Sequence, residues 1–471
     1  MNQNQALTEL KEIFELDEYL DSGSRLERYR LDQVGDKIYG QTPLAVVFPK
    51  NTSQVSELMK WAYRHNIPVT PRGGGSGLSG GAIPTEGGVV CCFDLMNRII
   101  EIDAINQMVV VEPGVVTNAL DEALKPYGLF FAGYPMSEDL CQIGGNLAEN
   151  AGGGRAIKYN TTAHYVVGAQ VVTPQGDILN LGGKRLKDVT GYNLLQLFVG
   201  SEGTLGIFTE ITLKLVPRPN VRGVSFWAFT DAAEAVSIFG DLKKIQALSS
   251  LEFIDGQTTR ATNNGLVLAQ RADLPDGQEA YLLLEADGIS EDEVHHALMR
   301  IGSLCDSAGG QLIATGLDIK SYEKAWKLRK AVPWWVKRNA MEYHSLEDVV
   351  VPPSVIPQLV AFIEELREEF QVPIAVFGHA GDGNFHITPM KSLDMSPSEW
   401  NSMIPMLLKK LYEFVIEQGG TISGEHGIGR KRTQYVSLAL SKEVIDLMKT
   451  IKIGFDPKNL LNPGVIFEKL L

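Results

Sequence analysis

The sequence predicts an α+β protein with a loop-rich first domain and a second domain built on an antiparallel sheet with helices. Three observations carry this. Strand-like segments in the first half ("QMVVVEPG", "HYVVGAQVVTPQGDIL", "FTEITLKLVP") are interleaved with three glycine-rich stretches. A two-proline stretch, "LVPRPNVRG" (Leu215 to Gly223), closes that half. Beyond it, "PIAVFGHAGDGNFHITP" is an apolar run, a turn and a second apolar run. The expected domains are 1–218, 219–429 and a C-terminal segment, 430–471, that returns to the first.

The whole chain sets the outer limits. At 471 residues it accommodates two or three domains, and 44% hydrophobic with 21% charged residues is ordinary globular composition. A net charge of −14 opposes nucleic-acid binding, because phosphates would be repelled over most of the surface. No apolar run approaches the roughly 18 residues of a membrane span. The first twenty residues carry acids and no apolar core, so they read as a surface helix and not a signal peptide. Cys91, Cys92, Cys141 and Cys305 form no C-x-x-C, which leaves zinc ribbons and iron–sulfur clusters unsupported and suits a reducing cytoplasm.

The first glycine stretch, "VTPRGGGSGLSGGAIPTEGGVV", contains G-x-G-x-x-G at Gly75, Gly77 and Gly80. A helix, "SQVSELMKWAYRHN" with Ser53 as its expected N-cap, and a strand, "HNIPVTP", precede it. A dinucleotide fingerprint also needs a helix to open inside the glycines. Pro84, Gly87 and Gly88 stand where that helix would run, so the nicotinamide reading fails. What remains is a loop whose amides can converge on an anion, with Arg72 at its edge, or else a plain surface loop. "CQIGGNLAENAGGGR" and "LLQLFVGSEGTLGI" are two more such segments in the same half. Three backbone-rich loops on one scaffold suggest an extended phosphate-bearing ligand such as FAD.

These segments, in this order, resemble the FAD-binding domain of the vanillyl-alcohol oxidase superfamily. "GHAGDGNFH", "SGEHGIG" and "FDPKNLLNPG" narrow the resemblance to its D-2-hydroxyacid dehydrogenase branch, which includes D-lactate dehydrogenases, D-2-hydroxyglutarate dehydrogenase and the flavin subunit of bacterial glycolate oxidase. It runs from about Pro43 to Phe467. It implies a two-subdomain PCMH-type FAD-binding domain and an antiparallel-sheet-and-helix substrate domain capping the flavin. By the same resemblance, Arg72, Gly73, Gly74, Gly75, Ser76, Gly77 and Leu78 wrap the pyrophosphate. Gly144, Gly145 and Asn146, helped by Pro135 and Ser137, approach the flavin. Glu202, Gly203 and Ile207 lie near the adenine, and Asn462 returns to the isoalloxazine. His65 and His164, the histidines of the first 290 residues, sit in no tethering motif, so FAD is expected to be noncovalent.

In the second half, a two-residue turn at Asp382-Gly383 would set Gly381 opposite Asn384, Ala380 opposite Phe385 and His379 opposite His386. Two such imidazoles can share a metal ion with Glu425, or can simply be strand histidines satisfied by hydrogen bonds. The resemblance favours a divalent ion, commonly zinc, on His379, His386 and Glu425. His426 then acts as general base for the substrate hydroxyl. Arg329, in "EKAWKLRKAVPWWVKRNA", resembles the family's carboxylate-binding arginine. This stretch is expected to be helical before Pro333.

Relatives acting on dicarboxylates have threonine where Pro333 stands and a lysine with no clear counterpart near His344. That favours a small monocarboxylate such as D-lactate or glycolate. Electrons must leave for an external acceptor: a quinone, an electron-transferring flavoprotein or an iron–sulfur subunit. These readings imply a cytoplasmic protein, able to associate peripherally with the inner membrane or to form a homodimer.

Overall fold

The computed structural model describes residues 3–34, 40–340 and 343–470. The chain forms two compact units. The first comprises Met1–Gly153, Thr161–Arg218 and Glu425–Leu471, and the second Gly154–Asn160 and Pro219–Gly424. The chain enters the second unit briefly at Gly154–Asn160 and again at Pro219. The return begins at Glu425 and not at residue 430, and a short piece of the glycine-rich half, Gly154–Asn160, joins the second unit.

Among the described residues, the first unit carries a four-stranded sheet in the order Tyr19–Leu20, Ala45–Val47, Val89–Cys92, Val69–Arg72, whose last three strands are parallel. It also carries a five-stranded antiparallel sheet in the order Ile99–Asp103, Met108–Val111, Ile207–Lys214, Val166–Val172, Ile178–Gly182. The helix Thr52–His65 buries Val55, Leu58, Met59, Trp61 and Ala62. Against it packs the helix Gln3–Ile13, which buries Ala6 and Leu10 and so is not purely a surface helix; residues 1 and 2 lie outside the described residues. The cap of Thr52–His65 is Asn51 and not Ser53. Asn51 has extended backbone, and its Oδ1 accepts from Gln54 N at 3.0 Å, whereas Ser53 already lies in the first turn.

Strand Val69–Arg72 leads directly into the glycine loop, and no helix opens before the strand Val89–Cys92. The C-terminal segment closes this unit: Val69 N donates to Leu460 O, and Asn462 N donates to Val69 O, each at 2.8 Å.

The second unit is organised by a seven-stranded, wholly antiparallel sheet. Its order is Gln311–Gly316, Val221–Phe229, Ala280–Gly288, Leu248–Asp255, Ile374–His379, Asn384–Pro389, Glu347–Val350. The helix Ile319–Ala340 continues through Pro333 instead of ending there. Proline removes only the hydrogen bond to the Arg329 carbonyl, and the buried stripe Trp326, Arg329, Val332, Val336, Ala340 keeps the helix against the sheet. No helix among the described residues is long and apolar enough to cross a membrane.

Candidate active site

In the first unit the three glycine-rich segments converge through their backbones. A Cβ at Gly74 would overlap the Leu140 carbonyl oxygen, and one at Gly73 would lie 3.5 Å from the Gln142 side chain and 3.6 Å from Gly145 N. The first loop therefore lies on the segment that contains Gly144 and Gly145. A Cβ at Gly145 would meet nothing within 4 Å, so open space remains beside the paired loops. The Arg72 guanidinium turns inward. Its Nη1 donates to the carbonyls of Leu31 at 2.8 Å and Ala82 at 3.3 Å, and the group lies beneath Gly75, whose φ is +66°. Arg72 thus braces the loop that it was expected to supplement with charge.

The second and third segments join where Glu202 N donates to Ala148 O at 2.7 Å. The Glu202 carboxylate accepts from the amides of Ile428 and Gly429, at 2.9 and 2.6 Å, and so holds the "SGEHGIG" stretch. Asn462 bridges the group: its Nδ2 donates to Gly81 O and Glu202 O, each at 2.9 Å, while its Oδ1 accepts from Arg430 at 3.1 Å. Gly203, at φ +65°, has room for no Cβ beside Pro71. Asn146 donates to Thr117 Oγ1 at 2.9 Å. Ser137 O caps the turn that leads to Cys141, and the backbone of Pro135 lies against Gly153. Ile207 belongs to the hydrophobic core, so its side chain is a packing element.

Sequence reasoning missed an acid pair here. A Cβ at Gly427 would lie 3.0 Å from Glu202 Cδ and would overlap Glu149 Oε2, which has no hydrogen-bond partner among the described residues. Burial pushes the Glu202 carboxyl up to about 7, against the pull of the Ile428 and Gly429 amides. Burial and the neighbouring Glu202 push Glu149 well above the usual carboxylate range. Glu425 and His426 belong to this unit. His426 Nε2 stands 3.6 Å from Glu425 Oε1, and a Cβ at Gly152 would lie 3.6 Å from Glu425 Oε2.

In the second unit, the hairpin that carries the two histidines is wider than expected. Gly378 pairs with Phe385 and His379 with Asn384, so His386 faces Phe377 and not His379. The turn takes four residues, Ala380 to Gly383, because Asp382 N donates to His379 O and Gly383 N to Ala380 O, with Gly383 at φ +82°. His379 and His386 are therefore diagonal neighbours on one face, with ring centroids 5.3 Å apart and planes at 88°.

Each histidine has an acid beside it. His379 Nδ1 lies 2.7 Å from Glu252 Oε1, and Arg329 Nε donates to Glu252 Oε2 at 2.7 Å. Burial would raise the Glu252 carboxyl, but His379 and Arg329 hold it down at about 2. His386 Nδ1 stands 4.0 Å from Asp348 Oδ1. Asp348 accepts from Asn384 Nδ2 at 2.7 Å, Ser423 Oγ at 2.8 Å and Gly424 N at 2.9 Å. The segment Gly154–Asn160 is tied into the same sheet. Arg155 Nε donates to Glu285 Oε1 at 2.8 Å, and Tyr159 donates to Asp287 Oδ1 at 2.9 Å.

The acids Glu252, Glu285 and Asp348 had a signal in the sequence. Glu252 and Glu285 interrupt apolar runs, "SLEFI" and "LLLEA", Asp348 stands with Glu347 at the head of "EDVVV", and a charge buried in such a strand must be paired.

The family pattern described as FAD linked oxidases, C-terminal domain, matches residues 218–466, and that of the FAD binding domain matches residues 43–182. The chain belongs to the FAD-linked oxidase family. Glycolate oxidase subunit GlcD of Bacillus subtilis is 38% identical, covering 92% of this chain and 90% of the relative. D-lactate dehydrogenase of Archaeoglobus fulgidus is 34% identical over 97% of this chain and 99% of its own. D-2-hydroxyglutarate dehydrogenase of Stutzerimonas stutzeri is 32% identical over 98% of each. Among solved structures, p-cresol methylhydroxylase with substrate bound shares the fold, with a TM-score of 0.78 and 19% identity over 98% of this chain and 97% of that one. This is the PCMH-type architecture expected from the sequence. The first two of the converging glycine loops lie in the part matched as the family's FAD-binding domain, and the third, Leu194 to Ile207, lies just beyond it.

Proposed function

We propose that this FAD-linked oxidase is a dehydrogenase of small D-2-hydroxyacids, D-lactate or glycolate foremost, which yields the 2-oxoacid and passes electrons to an external acceptor. The observation that carries the reading is the sharing of Glu252 by Arg329 and His379. A cation suited to a carboxylate and an imidazole suited to a metal ion are anchored to one buried acid. The names of the three relatives given above, a glycolate oxidase subunit and two 2-hydroxyacid dehydrogenases, support it.

The residues fit the groups that the reaction needs. The first unit offers apposed glycine backbones with open space at Gly145, which suits a noncovalent FAD held by Gly73 to Leu78, Gly144 to Asn146, Glu202, Gly203 and Asn462. For a divalent ion such as zinc the donors are His379, His386 and Glu425, and a carboxylate behind a ligating imidazole is the usual support. When bound, the ion supplies a Lewis acid and FAD supplies the electron-pair acceptor.

The chain's own residues do the rest. Arg329 keeps its Nη edge for the substrate carboxylate, since Nε is committed to Glu252. His426 takes the hydroxyl proton as general base.

A dye-reduction screen of the FAD-loaded protein tests this. D-lactate, L-lactate, glycolate and D-2-hydroxyglutarate are compared with and without chelator. Chelator-sensitive reduction by D-lactate or glycolate is expected. Turnover of D-2-hydroxyglutarate alone would move the assignment to that substrate. Stoichiometric peroxide without added dye would make the protein an oxygen-using oxidase.

A further inference from the structure

We infer that Glu252 is a positioning residue that sets the orientation of the carboxylate-binding arginine and the metal-binding histidine together; this rests on the function proposed above. The two groups come from different elements. Arg329 lies on the helix Ile319–Ala340 and His379 ends the strand Ile374–His379, while Glu252 lies on the strand Leu248–Asp255. The carboxylate is fully buried, and its two oxygens are divided, Oε2 to Arg329 and Oε1 to His379, each at 2.7 Å. Ser250 Oγ also donates to Oε1, at 3.2 Å.

A carboxylate only accepts, so Nδ1 of His379 carries the proton and the ring lone pair lies on Nε2, the atom that would bind an ion. The same carboxylate fixes the plane of the guanidinium and leaves its Nη edge to meet substrate. The strap Gly154–Asn160 closes over this group where its first residue lacks a side chain. A Cβ at Gly154 would stand 2.6 Å from Glu252 Oε1, 3.3 Å from His379 Nδ1 and 3.4 Å from Ser250 Oγ. Farther along, Ile157 packs against Gly381 in the histidine hairpin. Neither Glu252 nor Gly154 touches substrate; each acts through its neighbours.

Glu252→Gln in the FAD-loaded full chain is the direct test. An amide has one acceptor oxygen for two donors, so either the imidazole or the guanidinium must face its NH2. Zinc affinity, read by chelator competition, should fall about 10- to 100-fold while flavin content is unchanged. KM for the 2-hydroxyacid should rise as well. Gly154→Ala, which alters no polar group, should move both readings in the same direction.

If Glu252→Gln does not fold, the wild-type protein still decides the question. The 15N shifts of labelled histidine, assigned by His379→Ala, should place the His379 proton on Nδ1. A proton on Nε2, or a folded Glu252→Gln protein with wild-type zinc affinity and KM, overturns the inference. Should wild type take up no zinc, the metal reading fails separately, and the tautomer measurement still judges Glu252.

Discussion

His379 and His386 meet edge to face across one hairpin, their ring centroids 5.3 Å apart. They are separated diagonally, with Phe377 opposite His386 and Asn384 opposite His379. Two imidazoles on one face of a hairpin can act as a pair. His379→Ala and His386→Ala should therefore each abolish dye reduction while the yellow flavin spectrum persists. Wild-type turnover in either variant would remove the metal role.

Arg329 is 3% exposed and pairs with a fully buried carboxylate. Arg329→Met leaves Glu252 without its cation, which costs about 3–5 kcal/mol when a buried pair is broken. Thermal unfolding should show that loss. Arg329→Lys should retain more stability but lose bidentate geometry, so kcat/KM for the hydroxyacid should fall more than the melting temperature suggests.

His426 is assigned the substrate proton. His426→Ala should lower kcat about 100- to 10,000-fold, the usual contribution of a general base, with zinc and FAD contents unchanged. Rapid-mixing measurement of flavin bleaching distinguishes a slow chemical step from slow reoxidation. Unchanged bleaching would assign the base elsewhere.

Gly74 allows the first glycine loop to lie on Leu140. Gly74→Ala should lower the flavin-to-protein ratio of the purified enzyme, because the added carbon pushes the loop off the segment carrying Gly144 and Gly145. The substrate unit should unfold as before in limited proteolysis. Full flavin occupancy would show that the close approach is dispensable.

Glu202 titrates near 7 in the folded flavin-free protein, above its usual 4.5, with Glu149 raised beside it. The folded state thus keeps a proton that the unfolded chain releases. The stabilisation is complete below 4.5 and disappears as pH rises through 7. The melting temperature of flavin-free protein should decline between about pH 5 and 8, and Glu149→Gln should flatten that slope. An unchanged slope would assign the titration to other groups.

The sequence by itself determined the FAD half, because backbone recognition is written in contiguous glycines. The missing helix at Pro84, Gly87 and Gly88 excluded the nicotinamide loop, and the three glycine segments do converge. It also marked Arg329, His379 and His386, which the second unit brings to one region. Tertiary structure decided what those side chains touch. A four-residue turn moved His386 from opposite His379 to opposite Phe377. A buried stripe carried the helix through Pro333. Glu252 meets Arg329 and His379 from 77 and 127 residues away. Local pattern fixes turns and loops, whereas the sharing of a buried carboxylate depends on strand register and sheet order, which only the packed chain sets.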